Sequence, residues 1–418
     1  MAESRSVDVA VVGAGPAGLA AAVQAADAGA SVLVVDQSPG LGGQIWRHRA
    51  GAPVPRNAAR LLHAFARSDA EYIGGATVVD AEQGRLALAT SESAVHVRAR
   101  TIVLATGARE LFLPFPGWTL PNVFGVGGLQ ALIKSGLDVR GRRVVIAGTG
   151  PLLLPVAASA VQHGARVEAV AEQTPRRRMI AFAAGLWRSP GKLALAARYR
   201  TSFLGTRLRA GTWIVRAEGA RVVERAVLTD GRREWVVPCD LVGAACGLIP
   251  NVEVGIAIGC RATSSGIAVD AGQQTTVSGV FAAGECTGIG GEELALVEGA
   301  IAGRAAAGRD AAAWYARRNR LRAFAARLDA AFALRPELLL RADAQTVVCR
   351  CEDVRLGALD RDWGARQGKL ATRAGMGACQ GRVCGAALER MFAWEAPVLR
   401  PPLAPVTAAV LRDLDGPA

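Results

Sequence analysis

One stretch near the start of the chain constrains the fold more than any other. Residues 7–37 read VDVAVVGAGPAGLAAAVQAADAGASVLVVDQ: a β-branched strand, three spaced glycines, an Ala-rich helix and a second strand that ends in an acid. This order predicts a βαβ unit in which the first glycine permits a tight turn, the second admits a pyrophosphate and the third lets helix and strand pack closely. The helix N-terminus adds a positive dipole end, and the acid suits a ribose hydroxyl. We therefore expect a bound dinucleotide, with the candidate residues Gly13, Gly15, Pro16, Ala17, Gly18, Asp36 and Gln37.

Three further segments favour FAD as that dinucleotide. TIVLATGARE (101–110) and GVFAAGECTGIGG (279–291) are strands that end in small residues. Both resemble the segments by which flavoproteins of the disulfide reductase type, which have two dinucleotide domains, return the chain to FAD. In that family an acid after the second strand, usually Asp and here Glu285, binds the ribityl or pyrophosphate region, and GLGGQIWR (40–47) resembles the flavin-side loop. The resemblance adds Gly43, Gln44, Ala105, Thr106, Gly107, Gly284 and Glu285 to the candidate FAD residues.

A second fingerprint follows at residues 142–173, RRVVIAGTGPLLLPVAASAVQHGARVEAVAEQ. Strand, glycine pair, helix, strand and acid recur, so we expect an inserted second nucleotide domain. Leu153 replaces the third glycine and keeps the helix from approaching the strand as closely. The terminal acid suits an unphosphorylated adenosine ribose better than NADP. Bound NAD, another adenine nucleotide and a relic of the fold that holds no nucleotide are the alternatives, and the candidate residues are Gly148, Gly150 and Glu172.

Four of the eight cysteines lie in two short pieces near the end of the sequence. CRCEDV carries Cys349 and Cys351, and CQGRVC carries Cys379 and Cys384. Four thiolates in two tight loops can ligate a [2Fe–2S] cluster, and nearby glycines free backbone amides to hydrogen-bond the sulfurs. Structural zinc also uses four cysteines, but the spacing within these two pairs suits its usual loops poorly. Cluster, zinc and unligated thiols are the three alternatives, and we favour the cluster.

The whole chain, from roughly residue 7 to residue 400, resembles one family. LGGQIWR, PGWTLPNVFGVGGLQALIK (116–134), GTGPLLLPVA and the CxC…CQGRVCG module are similar to the larger flavoprotein subunit of bacterial heteromeric dehydrogenases. That family includes the A subunit of opine oxidase, the corresponding subunit of hydrogen cyanide synthase and the α subunit of D-hydroxyproline dehydrogenase. The cysteine module itself resembles the small iron–sulfur domain of bacterioferritin-associated ferredoxin.

This resemblance implies an electron-transfer subunit that contains FAD and a [2Fe–2S] cluster. Its enzyme would oxidise the C–N bond of an amino or imino acid in a separate FAD-dependent, amine oxidase-like subunit, and a small ferredoxin-like subunit would complete the complex. The acceptor would be a quinone or a respiratory-chain component. Two alternatives differ in class: a stand-alone NADH-dependent flavoprotein reductase, and a redox-sensing or cluster-carrying interaction protein without turnover.

The expected fold class is α/β, with two Rossmann-like domains and a small C-terminal cluster domain. We expect the FAD domain at residues 1–110 and 246–305, the inserted nucleotide domain at 111–245, a helical connector at 306–344, the cluster domain at 345–395 and a Pro-rich tail at 396–418. In the connector, Trp314, Leu321, Phe324 and Leu328 recur at helical spacing, which predicts a packing face.

Composition and missing motifs argue against several other functions. The net charge of +13 comes mostly from scattered arginines without interleaved aromatic residues, so nucleic-acid binding is not expected. The run Arg176–Arg178 reads as a solvated loop, or as a contact for an anionic cofactor or partner. No cysteine pair follows either nucleotide strand and the four histidines form no catalytic pattern, so we assign no catalytic residue. Without a signal segment or an apolar run of bilayer length, the expected location is the cytoplasm, with any membrane contact made through partners.

Overall fold

The computed structural model describes residues 3–48, 54–203, 205–395 and 399–414. By internal contacts the chain forms two units. The first comprises Met1–Arg109, Ile249–Ala326 and Val398–Ala418, and the second comprises Glu110–Leu248 and Arg327–Pro397.

The strands are β1 (Glu3–Val12), β2 (Val32–Asp36), β3 (Glu71–Gly74), β4 (Thr77–Glu82), β5 (Arg85–Ala89), β6 (Ala94–Leu104), β7 (Ala108–Glu110), β8 (Val123–Gly125), β9 (Arg143–Gly148), β10 (Arg166–Glu172), β11 (Arg207–Ala210), β12 (Trp213–Glu218), β13 (Arg225–Thr229), β14 (Glu234–Pro238), β15 (Leu241–Ala244), β16 (Leu248–Pro250), β17 (Ala262–Thr263), β18 (Gly266–Ile267), β19 (Val280–Ala282), β20 (Val347–Cys349) and β21 (Val354–Arg355). The α-helices are α1 (Pro16–Asp27), α2 (Arg56–Ala66), α3 (Val126–Lys134), α4 (Leu153–Gln162), α5 (Arg176–Gly185), α6 (Pro190–Thr201), α7 (Glu253–Ile258), α8 (Glu292–Ala306), α9 (Ala312–Ala331), α10 (Ala365–Thr372), α11 (Cys384–Phe392) and α12 (Ala408–Leu414).

A seven-stranded sheet organises the first unit, in the order β3-β2-β1-β6-β5-β4, with β19 also paired to β6. Strands β3, β2, β1, β6 and β19 pair in parallel, whereas β5 and β4 are antiparallel. The central strands are apolar on both faces, because a parallel sheet is covered on both sides. Val9 and Val11 face one core cluster while Ala10 and Val12 face another.

Helices α1 and α8 pack against each other through small residues. A Cβ added to Gly299 would overlap the carbonyl oxygen of Ala17, and one added to Gly303 would overlap that of Ala21. Both glycines are completely enclosed, so no side chain fits between the two helix backbones. This contact lies directly behind the glycine loop that precedes α1.

The second unit contains a five-stranded parallel sheet, ordered β11-β10-β9-β15-β8, and a separate antiparallel sheet, β12-β13-β14. The predicted inserted nucleotide domain corresponds to the parallel sheet and its helices. Its fingerprint helix differs from that of the first unit: α1 begins at Pro16, immediately after Gly15, whereas α4 begins at Leu153, three residues after Gly150.

The C-terminal residues are divided between the two units. Residues 327–397 group by internal contacts with residues 110–248. The cluster region has a small core of its own, which includes Val348, Val354, Leu388 and Trp394. The tail from residue 398 belongs to the first unit, where the Leu403 amide donates to the Val79 carbonyl oxygen.

Two smaller expectations can be compared with this structure. Arg176–Arg178 were expected in a loop but form the first turn of α5, because Pro175 precedes them as a compatible start for a helix. Trp314 and Leu321 of the predicted packing face contact the cluster formed by Val297 and Ile301 of α8.

Gly299→Ala should therefore destabilise the first unit. The added methyl group must push the backbones of α1 and α8 apart, which we expect to lower the free energy of unfolding by about 2–3 kcal/mol. Chemical denaturation of the purified chain measures this change. Gly185→Ala is the matched control, since its Cβ meets nothing within 4 Å at a negative φ, and it should leave stability unchanged or slightly raised. Equal effects of the two substitutions would contradict the packing argument.

Candidate functional site

The first fingerprint forms a tight loop held against the neighbouring strand. Gly13 has φ +108°, and a Cβ there would overlap the carbonyl oxygen of Ala105. A Cβ on Gly18 would overlap the carbonyl oxygen of Gly13, so the first turn of α1 lies directly on the strand end. These are the close approaches that the first and third glycines of a dinucleotide loop permit.

Residues 40–47 lie over this loop. The Gly42 amide donates to the Ala14 carbonyl oxygen at 2.9 Å, and a Cβ on Gly43, which has φ +58°, would lie 2.9 Å from the Gly15 Cα. Gln44 is exposed, whereas Trp46 is 2% exposed and its indole N–H has no partner among the described residues. The backbones of Gly42 and Gly43 and the buried indole N–H of Trp46 are suited to bind the phosphates of a dinucleotide.

Asp36 organises the far side of the same loop. Its carboxylate accepts hydrogen bonds from the Ala14 amide at 2.6 Å and the Ser38 amide at 2.7 Å, and Gln37 beside it is exposed. The Tyr72 hydroxyl donates to the Ser38 carbonyl oxygen at 2.7 Å. Burial, together with the nearby charge of Asp36, raises the pKa of Tyr72 to about 12. Sequence reasoning missed Tyr72, because it lies on β3, well beyond the fingerprint.

Asn251 holds the loop formed by Ala105, Thr106 and Gly107. Its side-chain amide donates to the Thr106 carbonyl oxygen at 2.9 Å, its backbone amide donates to Gly107, and its carbonyl oxygen accepts from the Thr106 hydroxyl at 2.6 Å. Arg109 donates to the Asn251 side chain at 2.8 Å and pairs with Glu253 at 2.8 Å. No local sequence signal linked residue 251 to residue 106.

The hydrogen-bond partners of the Glu285 carboxylate in this structure are backbone amides. This carboxylate accepts hydrogen bonds from the Gly291 amide at 2.7 Å and the Gly290 amide at 3.2 Å, just before α8. Burial raises the pKa of Glu285. The longer glutamate reaches back to these amides, which a ribityl or pyrophosphate contact would have to displace.

Glu298 supports the same loop from inside α8, and sequence reasoning missed it as well. One carboxylate oxygen accepts from the Gly284 amide and the Thr287 hydroxyl, both at 3.0 Å, and the other pairs with Arg322 at 2.7 Å. Glu298 is 1% exposed, so Arg322 compensates a buried charge. A glutamate in the middle of an Ala/Gly-rich helix was the available signal.

The second fingerprint has the same local bonds but different surroundings. Glu172 accepts from the Gly150 and Thr174 amides, both at 2.8 Å, as Asp36 does from its two amides. Glu172, Gln173 and Thr174 are all at most 3% exposed. By contrast, Asp36 is half-buried and Gln37 is exposed.

Residues 332–335, called here the covering segment, account for this burial. The Thr149 hydroxyl donates to the Phe332 carbonyl oxygen at 2.9 Å, and the Gln173 side-chain amide donates to the Ala333 carbonyl oxygen at 3.1 Å. The Arg335 amide donates to the Gln173 side-chain oxygen at 3.1 Å. The chain thus occupies polar groups at the strand ends where a second nucleotide would bind.

The four C-terminal cysteines lie close to one another. Cys351 interacts with Cys379 and Cys349, and Cys384 interacts with Cys349 and Cys379. Burial alone would raise the pKa of the Cys379 thiol, but the amides of Val383, Gly381 and Arg382 outweigh it and lower that pKa. Burial, with the neighbouring Cys349, raises the pKa of Cys384 to about 12. Cys351 is the exposed member.

No group of three or more His, Cys, Asp or Glu side chains among the described residues is arranged to hold a single metal ion. A tetrahedral zinc site needs four ligands around one centre, whereas a [2Fe–2S] cluster distributes four thiolates over two irons.

The described helices include none with the length and hydrophobicity required to cross a bilayer.

The chain contains two sheets built mainly of parallel strands, and each carries a glycine fingerprint. This arrangement is typical of oxidoreductases with two dinucleotide-binding domains. The chain belongs to the family described as pyridine nucleotide-disulphide oxidoreductase, which matches residues 7–305. It is a flavin oxidoreductase with an α/β fold of Rossmann-like sheets.

Several proteins of known name are similar over most of the chain. The A subunit of opine oxidase from Rhizobium meliloti (strain 1021) is 32% identical, over 98% of this chain and 99% of the relative. Hydrogen cyanide synthase subunit HcnB of Pseudomonas aeruginosa is 32% identical, over 90% of both chains. Among solved structures, L-proline dehydrogenase from P. horikoshii shares the fold, with a TM-score of 0.70 and 18% identity over 98% of this chain and 80% of that one.

The buried cysteines outside the C-terminal pairs should be chemically inert. Burial raises the pKa of Cys239 to about 12 and that of Cys286 to about 11, from a usual value of 9.0. Both thiols stay protonated at pH 8, so iodoacetamide followed by peptide mass spectrometry should find them unmodified in the native chain and modified after unfolding. Because the folded pKa values are raised, their contribution to stability is complete below pH 9 and decreases as the pH rises towards 11 and beyond. Rapid native labelling of Cys286 would contradict this.

Proposed function

We propose that this protein is the FAD- and [2Fe–2S]-containing electron-transfer subunit of a heteromeric dehydrogenase or oxidase that acts on the C–N bond of an amino or imino acid. A partner flavoprotein subunit, amine oxidase-like, would deliver electrons, and a quinone or respiratory-chain component would accept them. The names of the relatives support this: each is a subunit of an oxidase or synthase. Substrates of the opine, D-hydroxyproline and glycine types all suit the proposal, because the partner would select among them.

Within the chain, the proposed FAD site uses the first unit. The closely packed glycine backbones of Gly13, Gly15 and Gly43 would lie against a pyrophosphate, and Trp46 offers a buried donor that has no partner among the described residues. Asn251 and Glu298 hold the two flanking loops, at 105–107 and 284–287, in place. Bound FAD would supply a carrier that takes up two electrons and can release them singly, while the cluster would pass one at a time.

The observation that carries the proposal is the proximity of four cysteines from two loops 30 residues apart in sequence, Cys349 and Cys351 with Cys379 and Cys384. The backbone amides of Val383 and Gly381 lie near the Cys379 sulfur, as expected for a thiolate that ligates iron. The Gly375 amide donates to the Cys349 sulfur at 3.5 Å. Cys351 is exposed, which would place one edge of the cluster near solvent and near an acceptor.

The Cys379→Ser substitution should remove the cluster and leave FAD bound, so that the two cofactors can be tested independently. We expect the variant, purified anaerobically together with its partner subunits, to keep FAD but to lose the cluster absorbance and most of its two irons per chain. Substrate should still reduce flavin in the complex, while transfer to an artificial one-electron acceptor falls at least about a hundredfold.

Cys260→Ser is the control for this experiment, since Cys260 is buried in the first unit and its thiol bonds only to the Thr275 hydroxyl at 3.3 Å. It should retain iron and turnover. Normal turnover in Cys379→Ser, or zinc instead of iron in the anaerobic wild-type protein, would refute the proposal.

The stand-alone NADH-dependent reductase is the weaker candidate, because the covering segment occupies the second nucleotide site. Thr149 and Gln173 are already hydrogen-bonded to it, and α4 begins two residues later, relative to its glycine pair, than α1 does. We expect millimolar NADH to leave the flavin of the isolated chain oxidised under anaerobic conditions. Stoichiometric bleaching by NADH would make the chain a reductase in its own right.

A further inference from the structure

Helices α5 and α6 form a surface that the proposed function does not use. They lie between the parallel neighbours β10 and β11, and neither helix contains a buried residue. Ile180, Trp187, Leu193 and Leu195 are exposed by 58%, 69%, 46% and 42%. Single exposed apolar residues are ordinary, but four large ones within sixteen residues indicate a contact surface.

The charged residues of the sequence stretch that contains these two helices are all basic. No aspartate or glutamate occurs between Glu172 and Glu218, whereas that stretch contains nine arginines and one lysine. Arg176, Arg177 and Arg178 in the first turn of α5 and Arg198 in α6 are exposed. We name Arg176–Arg178, Ile180, Trp187, Leu193, Leu195 and Arg198 the α5–α6 surface.

The two helices are anchored on their other side. The rings of Phe182 and Phe332 meet edge to face at 5.5 Å, and Leu186 and Phe203 are 7% and 3% exposed. Arg200 donates to the Phe203 carbonyl oxygen at 2.9 Å. The helices therefore present the α5–α6 surface from a fixed base.

We propose that the α5–α6 surface binds an anionic lipid membrane. Exposed tryptophan, aliphatic and arginine side chains are residue types by which a protein surface contacts the bilayer interface. The long arginine side chains can place their charged ends at lipid headgroups while the apolar groups enter the acyl boundary. A protein interface is the alternative, but its centre is usually depleted of charge, whereas here three consecutive arginines lie within the surface.

Membrane binding would bring the chain to the bilayer in which a quinone acceptor lies. The inference does not rest on the proposed function, since lipid binding can be measured without substrate, partner or cluster. Either proposal can therefore fail while the other stands.

Vesicle co-sedimentation of the full chain tests the inference. We expect binding to vesicles rich in phosphatidylglycerol, little binding to pure phosphatidylcholine, and a decrease with added salt. Each basic residue near an anionic surface contributes about fivefold to partitioning, so Arg176→Gln/Arg177→Gln/Arg178→Gln should weaken binding at least about tenfold. Ile180→Ser/Trp187→Ser should weaken it comparably without reducing FAD content.

Control variants remove the same number of arginines, and one exposed apolar side chain, elsewhere in the second unit. Arg140→Gln/Arg142→Gln/Arg232→Gln lies outside the α5–α6 surface, and Val236→Ser replaces an apolar residue that is 53% exposed. Both should bind vesicles like the wild type. No binding to phosphatidylglycerol vesicles, or equal losses in the control variants, would overturn the proposal. So would variants that bind lipid normally but fail to assemble with the partner flavoprotein, because the surface would then be a protein interface.

Discussion

The close approach of α1 and α8 is the contact on which the first unit depends. Gly299 and Gly303 bring the α8 backbone against the carbonyl groups of Ala17 and Ala21. Each helix follows directly after a loop of the proposed FAD site. The separation of the two helices therefore sets the separation of the two loops, and a Cβ on Gly284 would lie only 2.7 Å from that of Ala17. The packing of α1 against α8 thus determines the width of the proposed FAD site.

Carboxylates then hold those loops in shape. Asp36, Glu172, Glu285 and Glu298 each accept hydrogen bonds from backbone amides of a loop beside a helix N-terminus or strand end. Hydrogen bonds to ionised acceptors are the strong ones, and they gain strength away from water. The acid of a dinucleotide fingerprint therefore stabilises its loop through hydrogen bonds to backbone amides, independently of any contact with a ribose. Glu285 can therefore replace the usual aspartate and still stabilise its loop through these hydrogen bonds.

Sequence reasoning was most successful where the signal is local. The two βαβ units follow from strand, glycine and helix patterns within about 30 residues, and both Cys pairs lie in short loops. It failed where partners are distant in sequence: Asn251 on the Thr106 loop, Tyr72 on Ser38, and Glu298 on Gly284 through α8. Such contacts depend on topology, and a single polar residue on a strand or helix gives no indication of its partner.

The two fingerprints show most clearly what local sequence leaves undetermined. Each has its glycines, its helix and its acid, and the acids make equivalent bonds to backbone amides. They differ because residues 332–335, about 160 positions beyond Gln173, cover one strand end, whereas Gln37 at the other remains exposed. A chain that receives electrons from another subunit has no use for a reduced nicotinamide of its own. Under that proposal the second Rossmann-like sheet needs no bound nucleotide, and its remaining role is to support the covering segment. The covering segment precedes the cysteine loops in the sequence.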